Sequence, residues 1–256
     1  MFRAALLLLM SLCLMSLGAF AQDPPFLRES GWTPLLNGTD LKGWHALDPT
    51  KPHEWKAVRG IDWDRVGNPK LLRGIGTSGD RIMNGPNGRT QNWVSDEKHG
   101  DVELYVEFMI AKGANSGVYL QGLYEVQILD SHGATTPLNT GDGGAIYHQW
   151  INEKPVGGTV PKVNANLPAG VWQSYHIWFR APRFDASGKK TENARFLRVI
   201  QNNQWIQENV EVLGPTRAHM EIPEAPMNPL MVQGDHGPVA YRNIYWRPFR
   251  GVPEFH

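Results

Sequence analysis

The stretch from Val102 to Ile110 constrains the fold more than any other part of the chain. Val102, Leu104, Val106, Phe108 and Ile110 recur at every second position, which places them on one side of a pleated strand, with Glu103, Tyr105, Glu107 and Met109 on the other. A helix would need apolar residues three and four apart, and the run does not supply them. The expectation is an antiparallel strand with one buried face.

The next two runs, Asn115 to Gln121 and Leu123 to Asp130, meet at Gly122. With Gly122 at the turn, Tyr119 lies opposite Glu125 and Gly117 opposite Gln127. Asn115, Gly117, Tyr119, Glu125 and Gln127 then share a polar face, while Val118, Leu120, Val126 and Ile128 share an apolar one. Further strands are expected over 69–76, 92–95, 144–147, 173–180, 195–201, 205–212, 230–233 and 239–246. Gly 27 and Pro 19 provide the turns between them. Many short strands and no sizeable helix point to an all-β fold, a two-sheet antiparallel jelly-roll sandwich.

The N-terminus reads as a secretory signal over residues 1–21. Met1-Phe2-Arg3 is a short positive region, Ala4 to Gly18 is apolar, and Ala19-Phe20-Ala21 is a small-x-small cleavage site. The apolar part is short for a membrane span. Leu12 before Cys13 is too bulky for a lipoprotein cleavage site, so no lipid anchor is expected. The expected location is periplasmic or secreted, with no membrane attachment after cleavage. Residues 22–32 read as a flexible leader and 33–256 as one sandwich domain. Cys13 is the only cysteine, so the processed chain cannot form disulfides and must rest on its core. Removing Arg3 leaves 24 basic against 25 acidic residues, with no basic patch, which argues against nucleic acid as a partner.

Several motifs carry little. Gly74-Ile75-Gly76-Thr77-Ser78-Gly79 has the spacing of a dinucleotide fingerprint, but Asp80 to Pro86 cannot form the helix that the fingerprint opens. It reads as a glycine-rich loop. Asn37-Gly38-Thr39 reads as a turn. Tyr124-Glu125-Val126-Gln127-Ile128-Leu129-Asp130 carries more, because it resembles the E-x-D-x-x-E strand of laminarinase-type retaining glycosidases. Here the middle acid is Gln127 and the last is the shorter Asp130. A retaining pair needs carboxyls roughly 5 Å apart. Asp130 either completes such a pair or caps the following loop through Ser131-His132-Gly133.

Five ordered motifs resemble the 3-keto-disaccharide hydrolase domain family of exported bacterial proteins. They are Leu35-Leu36-Asn37-Gly38-Thr39-Asp40-Leu41-Lys42-Gly43-Trp44, Asn115-Ser116-Gly117-Val118-Tyr119-Leu120, Tyr124 to Asp130, Gly144-Ala145-Ile146-Tyr147, and Gln233-Gly234-Asp235-His236-Gly237 with Tyr241-Arg242-Asn243-Ile244. The chain departs from the pattern by a glycine inserted after Gln233, by Asn202-Asn203 in place of an Asn-Gly turn, and by a longer stretch over 62–89. The resemblance implies a concanavalin A-like sandwich acting on a sugar already oxidised to a ketone at carbon 3.

A ketone there acidifies the C2 hydrogen, so a base can remove it and the resulting enolate can expel the C1 substituent. The resemblance implies Glu125, Asp130 and His236 as the catalytic residues. Asn115, Tyr119, Gln127, Tyr147, Gln233 and Arg242 would bind the substrate. Arg242 would hold the sugar or the enolate oxygen, unless it pairs with Glu125 and knits two strands. No cofactor is certain, but a divalent metal ion on Glu125, His132 and His236 could polarise the ketone. Two other readings stay open: a non-catalytic carbohydrate-binding sandwich and a conventional retaining glycosidase.

Overall fold

Period-two patterning becomes two antiparallel sheets packed face to face. The computed structural model describes residues 23–249 and 251–252, so the expected signal peptide lies outside the described residues. The larger sheet has eight strands. Seven run in the order Gln204–Val212, Ala194–Gln201, Gln173–Arg180, Val102–Ile110, Val239–Pro248, Arg81–Met83 and Lys56–Val58, and Thr33–Pro34 also pairs with Val239–Pro248. The smaller sheet has five, in the order Tyr124–Leu129, Asn115–Leu120, Asn228–Val232, Trp93–His99 and Trp44–Ala46. The all-β antiparallel sandwich is as expected. Among the described residues no helix is long and apolar enough to cross a membrane.

The core lies between the sheets. Val118, Leu120, Val126 and Ile128 enter it from the smaller sheet, as their alternation requires, and meet Val106, Phe108, Ile177 and Phe179 from the larger one. Two tyrosines cross this layer and tie the sheets together. The Tyr175 hydroxyl donates to the Gln127 carbonyl at 2.6 Å, and the Tyr241 and Ser116 hydroxyls lie 2.7 Å apart. Both rings are fully buried, so each contributes apolar burial of roughly 1.5–3 kcal/mol as well as a satisfied hydroxyl.

The hairpin at Gly122 has the expected register, with Glu125 opposite Tyr119 and Gln127 opposite Gly117. Gln121 and Gly122 both take positive φ, 56° and 66°, which closes the turn tightly. Asn202 and Asn203 do the same between Ala194–Gln201 and Gln204–Val212, so asparagine replaces glycine there at little strain. The glycine-rich stretch 74–79 is the end of the strand Leu72–Ile75 and the turn beyond it, not the start of a helix.

Three expectations are corrected. Val102–Ile110 is buried on both faces, not one. Glu103, Tyr105 and Glu107 are covered on the outer side by side chains that neutralise or stack on them, among them Arg247, Phe26 and Arg242. The described part of the leader is not free: Pro25–Arg28 forms a helical turn on this sheet, and Phe26 stacks on Tyr245 with ring centres 4.0 Å apart. The stretch 144–147 forms no strand and makes only isolated bridges at Ile146, beside Val126 on one side and Thr159 on the other.

Candidate functional site

Along Tyr124–Leu129, Tyr124, Val126 and Ile128 enter the core, so alternation sends Glu125 and Gln127 to the outer side of the smaller sheet. Both are nevertheless buried, at 1 % and 2 % exposure, because loops close over them. On one flank the stretch 144–147 runs along the strand edge. Gly144 N–H donates to the Gln127 carbonyl at 2.8 Å, and Tyr147 N–H to the Glu125 carbonyl at 3.1 Å. On the other flank Gln233 N–H donates to the Gly117 carbonyl at 3.0 Å, and Asn115 N–H to the His236 carbonyl at 3.0 Å.

The closing loop with its inserted glycine is held firmly. Asn84 Nδ2 donates to the carbonyls of Gly234 and Gly237, both at 2.9 Å, and Gly234 N–H donates to Asn92 Oδ1 at 3.0 Å. A Cβ on Gly234 would overlap the Gln91 carbonyl, so only glycine passes. Asn84, from the less familiar stretch 62–89, and Asn92 beyond it thus clamp the loop that carries Gln233 and His236.

These pieces enclose a cavity of about 280 Å³. Its lining includes Asn115, Tyr119, Glu125, Gln127, Tyr147, Gln233 and His236, all expected from the sequence. Arg217 and Ala218 complete it and were not expected. They arrive on a loop stitched down by Arg217 N–H to the His148 carbonyl at 2.9 Å and Met220 N–H to the Gly122 carbonyl at 2.8 Å. No periodicity marks that loop; a basic residue within a Pro- and His-containing turn was the only signal it offered.

Among the described residues Glu125 is the only carboxyl in the lining. Burial raises its pKa to about 8, with the Tyr119 hydroxyl opposing the rise and the charge of Asp235 adding to it. At neutral pH it is therefore mainly protonated. The carboxyl lies against Gly117, where a Cβ would overlap Oε1, so the missing side chain is what makes room for it. Three buried side-chain oxygens of the hollow, Glu125 Oε2, Gln127 Oε1 and Gln233 Oε1, have no hydrogen-bond partner among the described residues. Grouped in one hollow, these three oxygens are placed to receive hydrogen-bond donors such as hydroxyl groups. His236 Nδ1 lies 2.6 Å from Asp235 Oδ1, an arrangement that orients the imidazole. Tyr119 lies over Val94 and Met231, and its hydroxyl donates to the Arg217 carbonyl at 3.2 Å.

Three expected residues lie elsewhere. Arg242 belongs to the larger sheet, where its neighbour Tyr241 points into the core and alternation turns Arg242 outward. It pairs with Glu107 at 2.5 Å and lies 4.2 Å from the Trp172 ring, so it neither lines the hollow nor pairs with Glu125. Asp130 lies outside the hollow and accepts from Gly113 N–H at 2.8 Å; it caps the preceding loop, not the following one. His132 is exposed, with Nδ1 2.8 Å from the Asn166 carbonyl. The set Glu125, His132 and His236 is therefore not assembled, and no group of three or more His, Cys, Asp or Glu among the described residues could hold a metal ion. The side chains present do not fit the expected metal site.

Fold and site together define a β-sandwich protein with an acceptor-lined hollow on the outer face of its smaller sheet. The chain belongs to the 3-keto-alpha-glucoside-1,2-lyase-like domain family, whose model matches residues 31–247. Among solved structures it is similar to a protein of Parabacteroides distasonis ATCC 8503 provisionally described as a glycosyl hydrolase. That match has 25% identity and a TM-score of 0.62, covering 86% of this chain and 84% of the other. A second such protein from the same organism has 18% identity and a TM-score of 0.52, with 85% and 99% covered. A third has 15% identity and a TM-score of 0.51, with 86% and 94% covered; these two speak to the fold. No curated protein matches the chain.

Proposed function

We propose that the chain cleaves the glycosidic bond of 3-keto-glycosides by elimination. The observation that carries this reading is Glu125: a single buried carboxyl, protonated at neutral pH, in a hollow otherwise lined by amides, tyrosines, His236 and Arg217. A retaining glycosidase would need a second carboxyl roughly 5 Å away. Here Gln127 occupies that strand position and Asp130 is committed to a loop.

His236, oriented by Asp235, takes the C2 proton of the keto sugar. The C–H electrons form the enolate, whose oxygen accepts from the Gln127 amide. Collapse of the enolate breaks the C1–O bond, and Glu125 gives its proton to the departing oxygen. The product is an unsaturated keto sugar and a free alcohol, and addition of water would complete a net hydrolysis. Asn115, Gln233 and Tyr147 hold the ring. The signal-like N-terminus supports export, with action in the periplasm or outside the cell.

The test is to offer purified protein a 3-keto-disaccharide and its unoxidised parent. Turnover of the keto sugar alone is expected. Binding of both without turnover would favour a carbohydrate-binding module, and cleavage of the parent would favour a retaining glycosidase.

A further inference from the structure

The hollow is large enough for about one sugar ring, being at the lower edge of the roughly 300–1,000 Å³ typical of ligand pockets. The group leaving from C1 must therefore extend past the rim on the side where Glu125 delivers its proton. Glu125 lies opposite Tyr119 on the paired strands, and the Tyr119 hydroxyl donates to the Arg217 carbonyl, so that side of the rim is the Arg217 side. Gln127, Gly117 and the His236 loop lie toward the other end.

Beyond Arg217 stands a small hairpin formed by Gln149–Ile151 and Lys154–Val156. Its Trp150 is 45% exposed, an unusual position for an indole. The Arg217 guanidinium lies 3.9 Å from the centre of the Trp150 ring, and among the described residues Arg217 has no acidic partner. The rings of Tyr147, His148 and Trp150 follow one another outward from the cavity wall, with centres 4.1 Å and then 6.1 Å apart. The hairpin turn is fixed by Asn152 and Glu153, both at positive φ, 50° and 61°, so the indole is held out on a defined scaffold.

We propose that Trp150, steadied by Arg217, is the subsite for the leaving group, and that it takes a flat apolar face: the second pyranose ring of a disaccharide or an aromatic aglycone. A methyl group is too small to reach it. This inference rests on Glu125 serving the leaving oxygen, and it assigns to the hairpin a role in choosing substrates.

The experiment compares KM for a 3-keto-disaccharide, a 4-nitrophenyl 3-keto-glucoside and a methyl 3-keto-glucoside in wild type, Trp150→Ala and Trp150→Phe. The ratio of the methyl KM to the disaccharide KM should fall about five- to tenfold in Trp150→Ala, with the nitrophenyl ratio following, and Trp150→Phe should restore most of it. Unchanged ratios in Trp150→Ala would overturn the proposal, as would a change in oligomeric state with unaltered ratios. If wild type turns over none of the three, the elimination mechanism fails, and calorimetry decides the subsite separately. The parent disaccharide should then bind more tightly than methyl glucoside in wild type and equally in Trp150→Ala; equal affinity in wild type, or no binding of either, would overturn the subsite.

Discussion

Glu103 and Glu125 are the same residue type in mirrored positions, each on the outer face of one sheet and each 1 % exposed. Their surroundings differ completely. Burial pushes the Glu103 carboxyl up, but His176 at 2.8 Å and Arg247 at 2.7 Å donate to it and hold it below the usual glutamate value. Arg247 reaches on to Glu29 at 2.5 Å, so the network also pins the N-terminal turn to the sheet. Among the described residues Glu125 has no cation paired with it and keeps one oxygen without a partner, and burial raises it to about 8. Burial is common to both, and the partner set decides whether a buried acid serves structure or chemistry.

The sharpest way to break this contrast is Glu125→Gln. Loss of the proton donor should lower kcat/KM on a 3-keto-disaccharide by about 10²–10⁴-fold. The loss should be much smaller on a 4-nitrophenyl 3-keto-glucoside, whose leaving group needs no proton. Steady-state kinetics on the two substrates checks this, and equal losses would remove Glu125 from the leaving oxygen. In wild type, kcat/KM for the disaccharide should fall as pH rises through about 8, because a donor must be protonated, and Glu125→Gln should lack that descending limb.

The converse substitution, Glu103→Leu, strips His176 and Arg247 of their shared carboxylate. Breaking a buried pair by removing one partner costs about 3–5 kcal/mol, to be read from urea unfolding. Catalytic constants per folded molecule should stay within about twofold, since the network lies across the sandwich from the hollow. A stable Glu103→Leu protein with lost activity would collapse the distinction between the two acids.

A third measurement follows the same contrast into stability. Glu125 has a folded pKa above its ordinary 4.5, so between 4.5 and about 8 the unfolded chain has lost a proton that the folded chain keeps. Its contribution is fully present below 4.5 and is lost as pH rises to about 8. Glu125→Gln should therefore match wild type near pH 4 and exceed it increasingly above, by up to about 4 kcal/mol at pH 8. Unfolding midpoints across pH 4–9 test this; parallel curves for the two proteins would contradict the raised value.

Most of the hollow was legible because it rests on two short-range rules. A turn at Gly122 fixes register, and period two then decides which residues share a face, so the sequence alone groups Asn115, Tyr119, Glu125 and Gln127. Gln233, His236 and Tyr147 came from the ordered motifs. Arg242 was misplaced because alternation assigns a side of a strand but not the sheet to which that strand belongs; it lies one position from a tyrosine that fills the core from the far side. Arg217 and Trp150 lie in a loop and a small hairpin without a repeating pattern, and only tertiary packing brings them to the rim. The cover over Glu103 was invisible for a related reason: an acid on a strand reads as solvent-facing unless its distant partners are known.

The smallest expected effect belongs to the third carboxylate of the comparison, Asp130. It is half-buried at the end of the same strand as Glu125, and its carboxylate accepts from Gly113 N–H at 2.8 Å, across a loop that begins after Val102–Ile110. Asn keeps an acceptor oxygen at the same reach, so Asp130→Asn should cost less than about 1 kcal/mol in urea unfolding. Its kcat/KM on a 3-keto-disaccharide should remain within about twofold of wild type, because no substrate in the hollow reaches that carboxylate. Asp130→Ala, which removes the acceptor, should lose more stability than Asp130→Asn and equally little activity. A hundredfold loss of activity in a stable Asp130→Asn protein would restore the two-carboxyl pair of a retaining glycosidase and undo the reading of Glu125 as a lone acid.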